Sequence, residues 1–130
     1  MNLEDWKNIF NFGGGEMKID KGLIGGSTNL LVLSLLENRD MYGYEIINQL
    51  ELRSDNTFKL KEGTLYPVLH RLENEGFLQS YRALGDRGRE RRYYKITKKG
   101  RKKLAEEQRQ WKVFSTSINK VIGGDVSGLA

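Results

Sequence analysis

LKEGTLYPVLHRLENEGFL, residues Leu60–Leu78, is the stretch whose reading decides the fold. At about 100° per residue, Leu65, Val68, Leu69 and Leu72 fall on one side, at i, i+3, i+4 and i+7. The spacing predicts an amphipathic helix from about Glu62 to Glu75. Its opposite side carries Gly63, Pro67, His70 and Asn74, flanked by Thr64, Tyr66 and Arg71. A solvated helix face usually carries several Glu and Lys. This one offers hydrogen-bonding groups, one Arg, a Pro and a Gly, which suits contact with a polar, anionic surface. An ordinary solvent-facing helix is the competing reading, and the rest of the chain has to separate the two.

Charge is distributed unevenly. The chain has 130 residues and net charge +5, with 30% charged and 38% hydrophobic residues. This bounds it to a small globular domain with an appendage. From Gln79 to Lys103 there are eleven Lys or Arg and two acids, net +9, and the remainder is net −4. Segregation of this kind marks a surface for a polyanion. There is no cysteine, so no disulfide framework and no thiolate metal site or nucleophile is available. That is compatible with a cytoplasmic setting. The start, MNLEDWKNIFNFGGG, is acidic and has no apolar core, unlike a signal peptide. The longest apolar run falls far short of the ~20 residues of a membrane span.

Working outward, residues 1–22 read as a flexible N-terminal arm. Leu3, Trp6, Ile9 and Phe10 have helical spacing, and Gly13–Gly15, Gly22, Gly25 and Gly26 loosen the link. Ser27 or Thr28 is the expected N-cap of a buried helix over Asn29–Glu37. A second helix is expected over Met41–Leu52, with Ile46, Ile47 and Leu50 inward and Gly43 allowing close packing. Phe58 and Leu60 alternate with lysines, as a short edge strand would. Gly76 suits the position just past the central helix. Phe77–Ala83 and Arg91–Ile96 form a β-hairpin across the turn Leu84–Gly88. The final helix starts near Thr97 and reaches about Ile122. Leu104, Trp111 and Ile118 recur every seven residues, and Phe114, Val121 and Ile122 join them. An apolar seam of that period asks for another helix, most simply its copy in a second subunit.

Three helices followed by a hairpin is the element order of a winged helix-turn-helix domain, mainly α with a small β-hairpin. The expected division is arm 1–22, winged domain 23–96, dimerisation helix 97–122 and tail 123–130. In this arrangement the third helix can enter a DNA major groove about 12 Å wide. Its first turn would offer backbone N–H groups to phosphate, with Gly63 permitting close approach. Arg71 and His70 can donate to guanine, and Thr64 and Pro67 can touch a thymine methyl, with Tyr66 beside them. Arg87, Arg89, Arg91 and Arg92 on the hairpin can straddle the backbone or enter a minor groove. A single histidine, His70, gives no metal cluster. No nucleophile–base–acid set appears either, so neither an enzyme nor a cofactor is expected.

These residues carry a family resemblance. LKEGTLYPVLHRLENEGFL followed by GRERRYYKITKKGR, with LLVLSLLENRDMYGYEI before them, resembles the PadR family of bacterial transcription regulators over about Asn29–Lys103. The short C-terminal helix is similar to the family's small, multidrug-responsive subfamily. That resemblance implies a homodimer enclosing a flat cavity, with Trp111 placed to stack on a planar aromatic ligand. The N-terminal arm, with its own Trp6, departs from the pattern. The resulting expectation is a repressor of a palindromic double-stranded operator, released by a small aromatic ligand. The alternative is a winged-helix protein that binds nucleic acid without sequence preference or inducer.

Overall fold

The computed structural model describes residues 18–124. The elements in order are α1 (Lys21–Leu36), β1 (Met41–Tyr42), α2 (Gly43–Arg53), α3 (Glu62–Asn74), β2 (Leu78–Leu84), β3 (Glu90–Ile96) and α4 (Lys98–Val121). The strands form one antiparallel sheet in the order β1-β3-β2. This is the winged helix, with β2 and β3 as the wing.

The core has the composition read from the helical pattern. Leu65, Val68, Leu69 and Leu72 of α3 are buried against Val32, Leu33 and Leu36 of α1 and Ile46 and Leu50 of α2. Leu78, Tyr94 and Ile96 close the core from the sheet, and Leu104 of α4 completes it. α3 ends as Gly76 requires. That residue has φ of 84°, its N–H reaches the Glu73 carbonyl at 3.0 Å, and Phe77 N–H reaches Leu72 at 2.9 Å. These two bonds satisfy carbonyls that the helix end would leave open. They also turn the chain straight into β2.

Several expectations are corrected. α1 starts at Lys21, eight residues before Asn29, capped by the Asp20 carboxylate, which accepts from Gly22 N–H at 2.8 Å. Gly22, Gly25 and Gly26 are therefore helical and not part of a loose link. Ser27 and Thr28 sit inside the helix and donate to the carbonyls of Leu23 and Ile24. A side chain that can cap a helix can equally back-bond within one, and composition alone does not separate the cases. Met41 and Tyr42 pair with Tyr94 and Tyr93, so the sheet has a third strand where a helix was expected to begin. The stretch around Phe58 and Leu60 forms no strand; Leu60 is anchored in the core instead. The pattern Leu3, Trp6, Ile9, Phe10 and residues 125–130 of the tail lie outside the described residues.

Candidate nucleic-acid interface and apolar groove

On α3 the two sides separate as the pattern requires. Gly63, Thr64, Tyr66, Pro67, His70 and Arg71 are all exposed, beside the four buried apolar residues. No side chain caps the helix start at Lys61. The leading N–H groups of its first turn are thus free of a side-chain acceptor. A Cβ at Gly63 would meet nothing within 4 Å, so packing does not explain that glycine. Tyr66 is braced: its ring lies across Gly43 of α2, where a Cβ would come within 2.8 Å of Cε1. The glycine at the start of α2 does allow close helix packing, and it sets the direction of the Tyr66 hydroxyl. Arg71 is also oriented, donating to the Asn29 side chain of α1 at 2.9 Å.

The wing has two faces with different work. On one, the Tyr81 and Tyr93 rings stack at 5.7 Å and Tyr42 meets Tyr93 edge-on at 5.6 Å. The Arg91 guanidinium lies 4.8 Å over the Tyr42 ring. Tyr81 donates its hydroxyl to Asp40 at 2.5 Å, tying the wing to the loop after α1. This bond to the carboxylate, with partial desolvation, pushes the Tyr81 phenol up to about 12. On the other face, Glu73 of α3 holds the Ser80 hydroxyl and accepts Ser80 N–H at 3.1 Å. Arg92 leans on the same pair, 3.1 Å from Ser80 and 3.8 Å from Glu73. The four arginines read alike from sequence therefore divide. Arg91 and Arg92 are engaged with the body of the protein. Arg87 and Arg89 stand exposed at the tip. Arg87 has φ of 64°, in the left-handed region where a non-glycine residue is uncommon.

Between the starts of α2 and α3 and the adjoining strand β3 lies a cleft of about 380 Å³. Tyr44, exposed in the first turn of α2, lines it with Tyr66, Arg91 and Arg92. Tyr44 and the Asp40–Tyr81 contact were missed from sequence. The adjacent tyrosines of MYGYEI were a signal for the first; nothing signalled the second, because it joins residues 41 positions apart.

The opposite end is of another kind. α4 is rooted by Gly100, where a Cβ would come within 2.1 Å of the Phe77 carbonyl oxygen. Thr97 caps the helix, accepting from Gly100 N–H at 2.9 Å. Leu104 is only 1% exposed and is buried in the chain's own core, apart from the other positions of the expected seam. Beyond it the apolar positions are open: Trp111 is 49% exposed, Phe114 53% and Ile118 41%, with Val121 and Ile122 more exposed still. Trp111 and Phe114 touch, ring centres 6.1 Å apart. With Leu23, Ile24 and Leu30 of α1 they line a groove of about 1050 Å³. Among the described residues there is no group of three or more His, Cys, Asp or Glu placed to hold a metal, and no helix long and apolar enough to cross a membrane.

Comparison with known proteins agrees with this architecture. Residues 32–106 match the model of the transcriptional regulator PadR-like family. A transcriptional regulator of Mycobacterium tuberculosis is 34% identical over 98 residues, 75% of this chain and 85% of that protein. The solved structure of a transcriptional regulator from Clostridium thermocellum superposes with TM-score 0.70 at 36% identity, over 77% of this chain and 97% of the other. A PadR-like regulator from Bacillus cereus gives TM-score 0.71 at 28% identity, over 81% of this chain and all of the other.

Proposed function

We propose that this chain, which belongs to the PadR-like family of transcriptional regulators, is a dimeric, sequence-specific repressor whose release is governed at the groove beside Trp111. The observation that carries the reading is the outward face of α3. Its exposed residues are donors and small contact groups, and the basic wing stands next to it.

In this mechanism α3 enters the major groove. His70 and Arg71 donate to guanine edges, and Thr64 and Pro67 meet thymine methyls. The uncapped first turn and the bare backbone at Gly63 receive a phosphate. Tyr66, held by Gly43, and Tyr44 point donors at the flanking backbone. The wing tip, Arg87 and Arg89, reaches the adjacent phosphates or minor groove, with Arg91 and Arg92 stiffening its base. The strained φ of Arg87 suits a residue held at a ligand-contacting tip. Each cation that neutralises a phosphate releases counterions, so affinity falls steeply with salt.

Dimerisation through Trp111, Phe114, Ile118, Val121 and Ile122 supplies two reading heads. A planar aromatic molecule between the tryptophans would alter their spacing, which is how binding at one site changes affinity at the other. The test is a footprint on the DNA upstream of the chain's own gene. Two symmetric protected half-sites about one helical turn apart, bound at least ~10³-fold more tightly than random duplex at the same salt, are expected. Equal affinity for random duplex would replace this reading with non-specific binding.

A further inference from the structure

Strand β3 is paired on both sides only at Tyr93 and Tyr94. There β1 offers Tyr42 and Met41, and β2 offers Tyr81 and Ser80. Past these rungs the sheet narrows to a hairpin, with Arg82 opposite Arg92, Ala83 opposite Arg91 and Leu84 opposite Glu90, and then the tip. A lone two-stranded hairpin is marginally stable in water, so the direction of the tip is set at its base. Ser80 and Tyr81 are consecutive in β2 and therefore point to opposite faces. Each is fastened by a carboxylate from another element. Glu73, in the last turn of α3, accepts from the Ser80 hydroxyl and from its N–H, the latter at 3.1 Å. Asp40, in the loop ahead of β1, accepts from the Tyr81 hydroxyl at 2.5 Å. Just beyond, a guanidinium braces each face. Arg92 reaches Ser80 at 3.1 Å and Glu73 at 3.8 Å, and Arg91 lies 4.8 Å over the Tyr42 ring.

We propose that Asp40 and Glu73 are positioning residues for DNA binding: they clamp β2 from opposite faces at the rungs where the sheet narrows, and so fix the angle at which Arg87 and Arg89 meet the duplex. The role rests on the DNA-binding reading above. Glu73 ties the wing to the reading helix itself, and Asp40 ties it to the body. Together they fix the tip relative to α3. With α3 seated in one groove, the tip has to arrive over the adjacent phosphates or minor groove in the same event. A hairpin free to swing would do so in only a fraction of its orientations, and apparent affinity falls by that fraction. Holding it in one direction removes the loss in advance. Both clamps are acids beside a surface for a polyanion, where a carboxylate opposes binding by repulsion. Their partners are groups of the wing, so their contribution to binding acts through Arg87 and Arg89.

The test is a double-mutant cycle on operator DNA at one fixed salt concentration. Asp40→Ala/Glu73→Ala removes both clamps and should weaken binding about tenfold if one wing orientation in ten fits. Loss of two carboxylates by itself strengthens binding to a polyanion, so a weakening cannot come from charge. In an Arg87→Ala/Arg89→Ala background the same change should cost about twofold or less, because a tip without its cations gains nothing from its angle. Ser80→Ala/Tyr81→Phe removes the two hydroxyl donors with no change of charge and keeps the stacked ring; it should show the same pattern. An equal loss in both backgrounds overturns the proposal, since the carboxylates then support the domain and not the wing. So does the absence of any loss in both variants. The chain has no cysteine, so nitroxide labels at Leu84→Cys and Asn74→Cys, both exposed positions, read the angle of the wing to α3 without DNA. Labelled chain is diluted with unlabelled chain so that distances within one subunit dominate. A single narrow distance distribution should broaden when both clamps are removed. A distribution that stays narrow overturns the clamp. One that broadens in a protein that binds random duplex equally well keeps the clamp and discards the repressor reading.

Discussion

Among the described residues two surfaces stand open, and they differ in what they lack. The α3 face and wing tip are polar and cationic: Thr64, His70, Arg71, Arg87 and Arg89 are exposed. The rear of α4 is apolar, with Trp111, Phe114, Val121 and Ile122 about half exposed or more. The first surface is stable in water as it stands and gains by exchanging counterions for phosphates. The second is costly to leave open, because apolar area in water is unfavourable by about 25 cal/mol per Å². One surface can wait for its partner, whereas the other needs a cover.

The largest expected effect tests whether α4 holds the two ends together. Gly100→Val places a branched side chain into the Phe77 carbonyl, and overpacking of that severity should cost at least about 3 kcal/mol. Urea unfolding measures it; an unchanged midpoint would mean α4 is not rooted at Gly100. Next is the seam. Ile118→Glu puts a carboxylate into the apolar rear of α4 and should weaken association by about 2 kcal/mol or more, seen by light scattering at low micromolar protein. A dimer that persists unchanged would move the interface off this helix. The smallest effects divide the polar surface itself. Arg71→Ala should lose ~1–3 kcal/mol on the operator and relax discrimination at one base pair. Arg87→Ala should weaken all sequences alike and lower the salt slope by about 1. If both behave as Arg87 does, α3 positions the protein without reading bases.

How legible was this in the sequence? The α3 pattern was, because a helix in a small domain must bury one stripe, and period 3.6 names it. The hairpin and its basic run were too, since turn chemistry is local. The start of α1 was not. Three glycines suggested a link, yet Asp20 caps a helix that runs through Gly22, Gly25 and Gly26. Propensity is a weak prior, and the helix is held at its two ends, by the Asp20 cap and by the buried residues from Thr28 onward. Nor could the heptad on α4 reveal that Leu104 belongs to the core and Trp111 does not. Both occupy the same register; only the distance from the Gly100 anchor decides which reaches the body.

The sequence by itself determined the winged helix, the side of α3 that faces outward and the concentration of positive charge after it. All three follow from periodicity and composition along contiguous residues. The tertiary structure alone decided which arginines are free. Arg91 and Arg92 are taken up by Tyr42, Ser80 and Glu73, while Arg87 and Arg89 stand exposed at the tip. It alone brought Asp40 to Tyr81 and Asn29 to Arg71. Those contacts join residues tens of positions apart, and no local pattern encodes a meeting that depends on the path of the whole chain.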